Sequence, residues 1–276
     1  MQNKAKWTLV LSLLVCQLAH SQINSGTVII FQLVNDKFIM ASDSRMIFEG
    51  KPSDGNCKIA AFRDHVVFGV TGGPKYVPGP LDSVKSWDAM LEAKRAVDIF
   101  GISNQDSASR VTAIANAWAT NMQTNWQILL VSHPDLVRKF AADENGGLTN
   151  GIFAATASGR ISLTMRGLVL KNDLIAVETP TIVGTCGGGP CASGKTDIFN
   201  EYTQNLSKRA KDEKWTFSSS LLDRTIPEMI KIVRLVDLSI AYDSSGTIGG
   251  PIDAIELNAD GSMKWYQRPN CKETYQ

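Results

Sequence analysis

Gly26 and Thr27 form a junction in this sequence at which the chain's own side chain could act as a nucleophile. A threonine hydroxyl is a poor nucleophile until a base takes its proton, and a threonine at a chain terminus carries that base itself, as an α-amine with a pKa of about 8. Such general-base assistance contributes typically ~10²–10⁴-fold. Thr27 is internal, so its amine is released only when the bond to Gly26 is cut. A glycine on the acyl side suits a junction that cuts itself, because a backbone without Cβ lets the hydroxyl approach the preceding carbonyl. The plainer reading of Thr27 is a β-branched residue that starts a strand.

The residues ahead of this junction explain why it is not at a terminus. Lys4 and Lys6 make a basic segment, residues 7–15 an apolar one, and Ala19-His20-Ser21 a small-x-small cleavage site, so residues 1–21 read as a signal peptide. Cleavage there leaves residues 22–26, QINSG, as a short propeptide that blocks the Thr27 amine. The apolar segment falls short of the ~20 residues of a membrane span, and the expectation is an exported protein, periplasmic or extracellular, without a membrane partner. Cys16 after Leu13-Leu14-Val15 offers lipoprotein processing as an alternative, with bulky Val15 where a small residue is wanted. Loss of the signal removes two lysines and leaves 26 basic against 27 acidic side chains. That balance attracts neither nucleic acid nor an anionic membrane. Residues 27–276 carry no linker, charge block or repeat and read as one domain.

Other chemistry is sparse. Cys57, Cys186, Cys191 and Cys271 survive export, and an oxidising compartment permits two disulfides in any of three pairings. Cys186 and Cys191 flank a glycine-rich loop and would close it locally, with free buried thiols as the alternative. Cys57 beside Lys58 is a further candidate nucleophile, although it points to the opposite face of its strand. His65 and His133 have no ligand spacing to the cysteines, so neither a metal nor a cofactor is expected. Residues 189–196 read GPCASGKT, the phosphate-loop pattern with Lys195 as its lysine. A nucleotide site there is disfavoured: such domains continue a parallel sheet, whereas only about 80 residues follow and they end in an antiparallel hairpin pattern. Pro190 also removes a backbone donor.

The elements that would position these residues follow from periodicity. Residues 27–34 are almost unbroken apolar, Asn35-Asp36 supplies a turn, and residues 38–42 continue in the same style, which predicts a hairpin buried on both faces. Residues 58–62 and 66–70 predict a second pair across Arg63-Asp64. Helices are expected over residues 81–100, capped by Asp82 or Ser83, and from Ser107 onward through Val111, Ile114, Trp118 and Met122. Strands return at 151–157 and 161–169. Two further helices carry Phe199, Tyr202 and Leu206, and Leu222, Met229, Ile230 and Val233. The chain closes with strands over 238–242 and 252–257, a turn at Asp260-Gly261 and a strand through Trp265. This order is α+β and fits a four-layer αββα sandwich, two antiparallel sheets face to face with helices outside each.

The stretch GTVIIFQLVNDKFIMASDSR, residues 26–45, resembles the opening of proteasome β-type subunits: Gly-Thr, an apolar strand, an Asp-containing turn, and a strand ending in Ala-x-Asp-x-Arg. NCKIAAFRDHVVFGVTGG resembles that family's lysine strand, hairpin and glycine, without a gap from Lys58 to Gly72. GIFAATASGRISLTMRGLVL, TIVGTCGGGPCASG and GGPIDAIELNADG look like its later strands and turns. The resemblance implies an N-terminal nucleophile hydrolase that cuts amide bonds, in peptides or proteins, through Thr27. It implies that Asp43 holds Lys58 in a buried ion pair beside the threonine hydroxyl, where the ammonium eases deprotonation. It implies that the Gly72 amide donates to the oxyanion, a bond worth ~3 kcal/mol in the barrier. The bland counterparts are a bridge that sets strand register and a turn glycine, and Arg45 is structural in either case.

Two departures stand out. Val28 occupies a position where many active relatives have threonine. Asp243 and Ser245 stand in for the family's Asp-x-x-Ser-Gly support, but in a register anchored on GGPIDAIEL, Ile248 replaces the serine. The resemblance further implies self-association through the helical layers into a ring-like homo-oligomer. A silent subunit or binding scaffold of the same fold is the alternative function, and a nucleotide binder at residues 189–196 the third.

Overall fold

The computed structural model of the chain describes residues 22–23, 25–48, 50–100, 106–180, 182–184, 189–204, 225–267 and 271. The signal-peptide reading of residues 1–21 and the helical reading around Leu206 and Leu222 therefore lie outside the described residues. The first part of the chain is β: β1 (Gln22–Ile23), β2 (Val28–Val34), β3 (Lys37–Asp43), β4 (Arg45–Phe48), β5 (Lys51–Asp54), β6 (Ile59–Phe62), β7 (Val66–Gly72), β8 (Lys75–Val77) and β9 (Trp87–Asp88). Helices α1 (Ala89–Phe100), α2 (Ser107–Ser132) and α3 (Pro134–Asp143) follow. Then come β10 (Gly147–Ala157), β11 (Arg160–Lys171), β12 (Leu174–Glu178), β13 (Val183–Gly184) and β14 (Cys191–Gly194). Helices α4 (Asp197–Gln204) and α5 (Glu228–Ala241) precede β15 (Ile252–Asn258) and β16 (Met263–Gln267).

The fold is mixed α+β with antiparallel sheets. A six-stranded sheet runs β13-β14-β2-β3-β15-β16 and a five-stranded one β12-β11-β10-β7-β6, beside a three-stranded β1-β8-β9 and the β4-β5 pair. The hairpin of β2 and β3 turns at Asn35, whose φ of 51° is tolerated better by asparagine than by most side chains. Successive side chains on a strand face opposite ways, which is why an uninterrupted apolar run is needed when both faces are covered. Val28 and Ile30 pack with Met229, Ile232 and Val236 of α5, while Ile29 and Phe31 pack with Ile59, Val67 and Ile152 of the other sheet. The opposite face of that sheet, through Phe68 and Phe153, packs with Val97, Trp118 and Met122 of α1 and α2.

Several expectations need correction. Helix α1 starts at Ala89 rather than near Leu81, because Asp82 is engaged elsewhere, accepting from the Val84 amide and the Tyr76 hydroxyl. Asp88 instead accepts from the Met90 amide at the helix start. Helix α2 begins at Ser107 as periodicity predicts, with Asp106 accepting from the amides of Ala108 and Ser109. Residues 238–242 are the end of α5 and its cap, not a strand: Leu235, Val236, Leu238 and Ser239 are buried along a helical surface that packs against the six-stranded sheet. Residues 191–194, read as part of a turn, form β14, which lies between β13 and β2 and has hydrogen-bonded neighbours on both edges.

Candidate active site

Thr27 sits just ahead of β2 and is 2% exposed, with its hydroxyl donating to the Gly26 carbonyl at 2.5 Å. The same carbonyl oxygen accepts from Lys58 Nζ at 2.7 Å. Lys58 lies between β5 and β6, and its ammonium also donates to both Asp43 oxygens, at 2.9 and 3.0 Å, and to the Arg45 carbonyl. Asp43, the last residue of β3, accepts in addition from the amides of Val28 at 2.9 Å, Arg45 at 3.2 Å and Gly249 at 3.0 Å. Both charged side chains are wholly buried. Burial pulls the Lys58 ammonium below its ordinary pKa, and the Asp43 carboxylate opposes that shift, with a weaker contribution from buried Asp253 on β15. Charges so placed persist only with counter-charge and hydrogen bonds on every side, which this arrangement supplies.

The chain ahead of Thr27 is held as a strand. Residues Gln22 and Ile23 pair antiparallel with Val77 and Tyr76 of β8, and Ser25 bridges Ile47 of β4. Gly26 has φ +91°, and a Cβ there would stand 2.2 Å from the Thr247 carbonyl oxygen, so only glycine fits directly ahead of Thr27. On the other side the Thr27 carbonyl accepts from the Lys195 amide at 2.8 Å. Gly194, φ +89°, presses against that carbonyl, where a Cβ would come within 2.1 Å.

The remaining predicted residues are placed as follows. Gly72 ends β7 at φ +82°, and the adjoining corner is fixed by Thr149, whose hydroxyl accepts from the Trp126 indole at 3.0 Å and donates to the Gly73 carbonyl at 2.7 Å. Strand β14 ties this corner to the sheet that begins after Thr27, with Ser193 Oγ 3.0 Å from Thr71 Oγ1. Asp243 and Ser245 belong to a loop that passes over Gly26 through Thr247, yet their bonds stay within that loop. Asp243 accepts from the Ser245 hydroxyl at 2.5 Å and the Ile248 amide at 3.0 Å, and Ser245 Oγ lies 2.7 Å from Thr247 Oγ1. Among the described residues neither side chain hydrogen-bonds Thr27, so the support expected of this pair is not present in that form. Partial burial raises the Asp243 carboxyl, and the donations from Ser245, Ile248 and Thr247 outweigh it and hold the pKa low.

No protein-family model matches this chain, and no curated protein matches it.

Cys57 is disulfide-bonded to Cys271, which removes it as a nucleophile, and Cys191 is disulfide-bonded as well. The phosphate-loop pattern is also drawn into the sheet: the backbone of Cys191–Gly194 that would cradle a phosphate is the paired strand β14. Its lysine lines a cleft of about 240 Å³ that also borders Gly72 and Gly194, together with Glu144 and Asp197. Sequence reasoning missed Glu144, Lys195 in this setting, and the Gly249 amide that supports Asp43. The positive-φ glycines at 194 and 249 were the only local signal, since glycine-rich turns are where backbone approaches a site closely.

Proposed function

We propose that this chain is an exported, proteasome-like threonine hydrolase that frees Thr27 by cutting its own Gly26–Thr27 bond and then cleaves amide bonds in peptides. One observation carries the reading: a single oxygen, the Gly26 carbonyl, receives both the Thr27 hydroxyl at 2.5 Å and the Lys58 ammonium at 2.7 Å. In self-cleavage the hydroxyl oxygen attacks the Gly26 carbonyl carbon, and negative charge develops on the oxygen that Lys58 already contacts. The hydroxyl proton passes to the departing Thr27 nitrogen, leaving the leader as an ester on the Thr27 oxygen. Water then hydrolyses the ester, releasing residues 22–26 with a C-terminal carboxylate and restoring the Thr27 hydroxyl beside the amine already freed by the shift. In later turnovers that amine serves as the base for the same hydroxyl, and burial of Lys58 beside it disfavours a second positive charge.

The four-layer αββα arrangement belongs to this proposal. It is supported by three separate apolar clusters, one between the two large sheets, one under α1 and α2, and one under α4 and α5. Export, with residues 1–21 as signal and 27–276 as one domain, is supported by the Cys57–Cys271 disulfide. Self-association through the helical layers remains part of the reading.

A silent protein of the same fold is the competing reading, favoured by the leader's pairing with β8 and by the inward bonding of Asp243 and Ser245. The mass of the secreted chain separates the two. The enzyme begins at Thr27, and its Thr27→Ala variant keeps residues 22–26 and loses peptide hydrolysis. Folded wild-type protein that begins at Gln22 and hydrolyses nothing, or unchanged turnover in Thr27→Ala, overturns the proposal.

A further inference from the structure

The cleft beside Thr27 has a wall to which the described leader residues contribute nothing. It is bordered by Gly72 at the end of β7, Asp143 and Glu144 at the end of α3, and Gly194, Lys195 and Asp197 between β14 and α4. Gly194 and Lys195 are the same two residues whose backbone holds the Thr27 carbonyl, so cleft and nucleophile share a wall. Its volume, about 240 Å³, lies below the ~300–1,000 Å³ of sites that enclose a whole small ligand. One long side chain fits it better.

The leader marks the acyl side of the cut bond, since Gly26 supplies the carbonyl, Ser25 bridges Ile47, and Gln22 and Ile23 lie on β8. None of these residues borders the cleft. The Thr27 carbonyl, on the departing side of that bond, is held by Lys195 and abuts Gly194 of the cleft wall, so the cleft lies toward the departing half of a substrate. Its charges are unequal, three carboxylates against the single ammonium of Lys195. Glu144 makes no ion pair among the described residues, and burial raises its carboxyl above the usual range while Lys195 opposes the shift. A phosphate in this cleft would meet those carboxylates at close range; a substrate cation would supply the counter-charge they lack.

We infer that this cleft is the leaving-side subsite of the threonine site and selects peptides with lysine or arginine directly after the cleaved bond. The inference rests on Thr27 as the nucleophile. Glu144 is its specificity-determining residue, and Lys195 sets an upper limit on the preference by competing for the same carboxylate.

The test uses the mature protein and internally quenched peptides that differ only at the residue after the cut, with the cut position read by mass spectrometry. Lysine and arginine peptides are expected to exceed the glutamate peptide in kcat/KM by about tenfold, as for a partly desolvated charge pair. Glu144→Gln lowers that ratio several-fold. Equal kcat/KM for lysine and glutamate, or an unchanged ratio in folded Glu144→Gln, overturns the inference. Where wild-type protein cleaves none of the peptides, the Thr27 reading fails by itself, and the cleft is read by titrating Thr27→Ala protein with Lys-Ala amide and Glu-Ala amide. Tighter binding of the lysine peptide, weakened by Glu144→Gln, supports the cleft, and equal binding sinks it.

Discussion

Lys58 and Asp43 meet at 2.9 Å with both side chains wholly buried, whereas Arg45 and Asp54 meet at 2.7 Å with side chains 25% and 42% exposed. The second pair is the better fork, with Arg45 donating through Nε and Nη2 to separate oxygens of Asp54 at 2.7 and 3.0 Å. Geometry alone would rank it higher. Solvent reverses the ranking of consequences: water screens the outer pair and replaces either partner, while nothing inside replaces a lost partner of the inner one. The inner pair is also the one whose cation reaches the Gly26 carbonyl. The lesson is that a charge becomes chemically useful here where it is costly to hold.

The contrast breaks most sharply at Asp43. Asp43→Asn leaves a buried ammonium without its main counter-charge and is expected to cost about 3–5 kcal/mol in urea unfolding, and on the proposed mechanism it also abolishes release of the leader. Lys58→Met costs less, because Asp43 retains donors from Val28, Arg45 and Gly249. The pH dependence sharpens the point. The lowered pKa of Lys58 means that the unfolded chain holds this proton more tightly, so its contribution to stability rises with pH across the window below 10.5. That rise disappears in Lys58→Met, and its persistence would show that another group causes it.

A smaller effect is expected at the bond that anchors the residue next to Lys58. Cys57 and Cys271 are 214 residues apart in sequence, and replacing both by alanine is expected to destabilise by about 2–5 kcal/mol, with the lower half of that range more natural for a protein already held by two sheets. Denaturant midpoints of the double variant and the wild type measure it. An unchanged midpoint would show that the sheets alone position Lys58.

The smallest effect belongs to the outer pair. Asp54→Asn is expected to cost no more than ~1 kcal/mol, less still in 1 M salt. Arg45 holds the Asp54 carboxyl below its ordinary pKa of 3.8, so this contribution is complete above that value and is lost as pH falls through the lower folded pKa. A loss as large as that of Asp43→Asn would erase the distinction between the pairs.

Legibility varied along the chain for a physical reason. From Gly26 to Gly73 the signals are local: apolar runs for strands covered on both faces and Asn35-Asp36 for a hairpin turn. Residues 238–242 misled because a short apolar run suits a buried strand as well as a helix, and the choice was made by packing along the length of α5. Residues 189–196 imitate a phosphate loop in glycine and lysine, a reading that the antiparallel pattern after them already disfavours, but their glycines hid the strand in which Cys191–Gly194 pair with β2.

The amino-acid order by itself determined the antiparallel α+β character and the Gly26-Thr27 junction, because each follows from neighbours in sequence, whereas the Asp43–Lys58 pair was legible only through the resemblance to proteasome β-type subunits. Only the tertiary structure decided that Lys58 and Thr27 share the Gly26 oxygen, that Asp243 and Ser245 bond within their own loop, and that Gly72, Glu144 and Lys195 border one cleft. Those contacts join segments far apart in sequence, and no local periodicity encodes a distance across the fold.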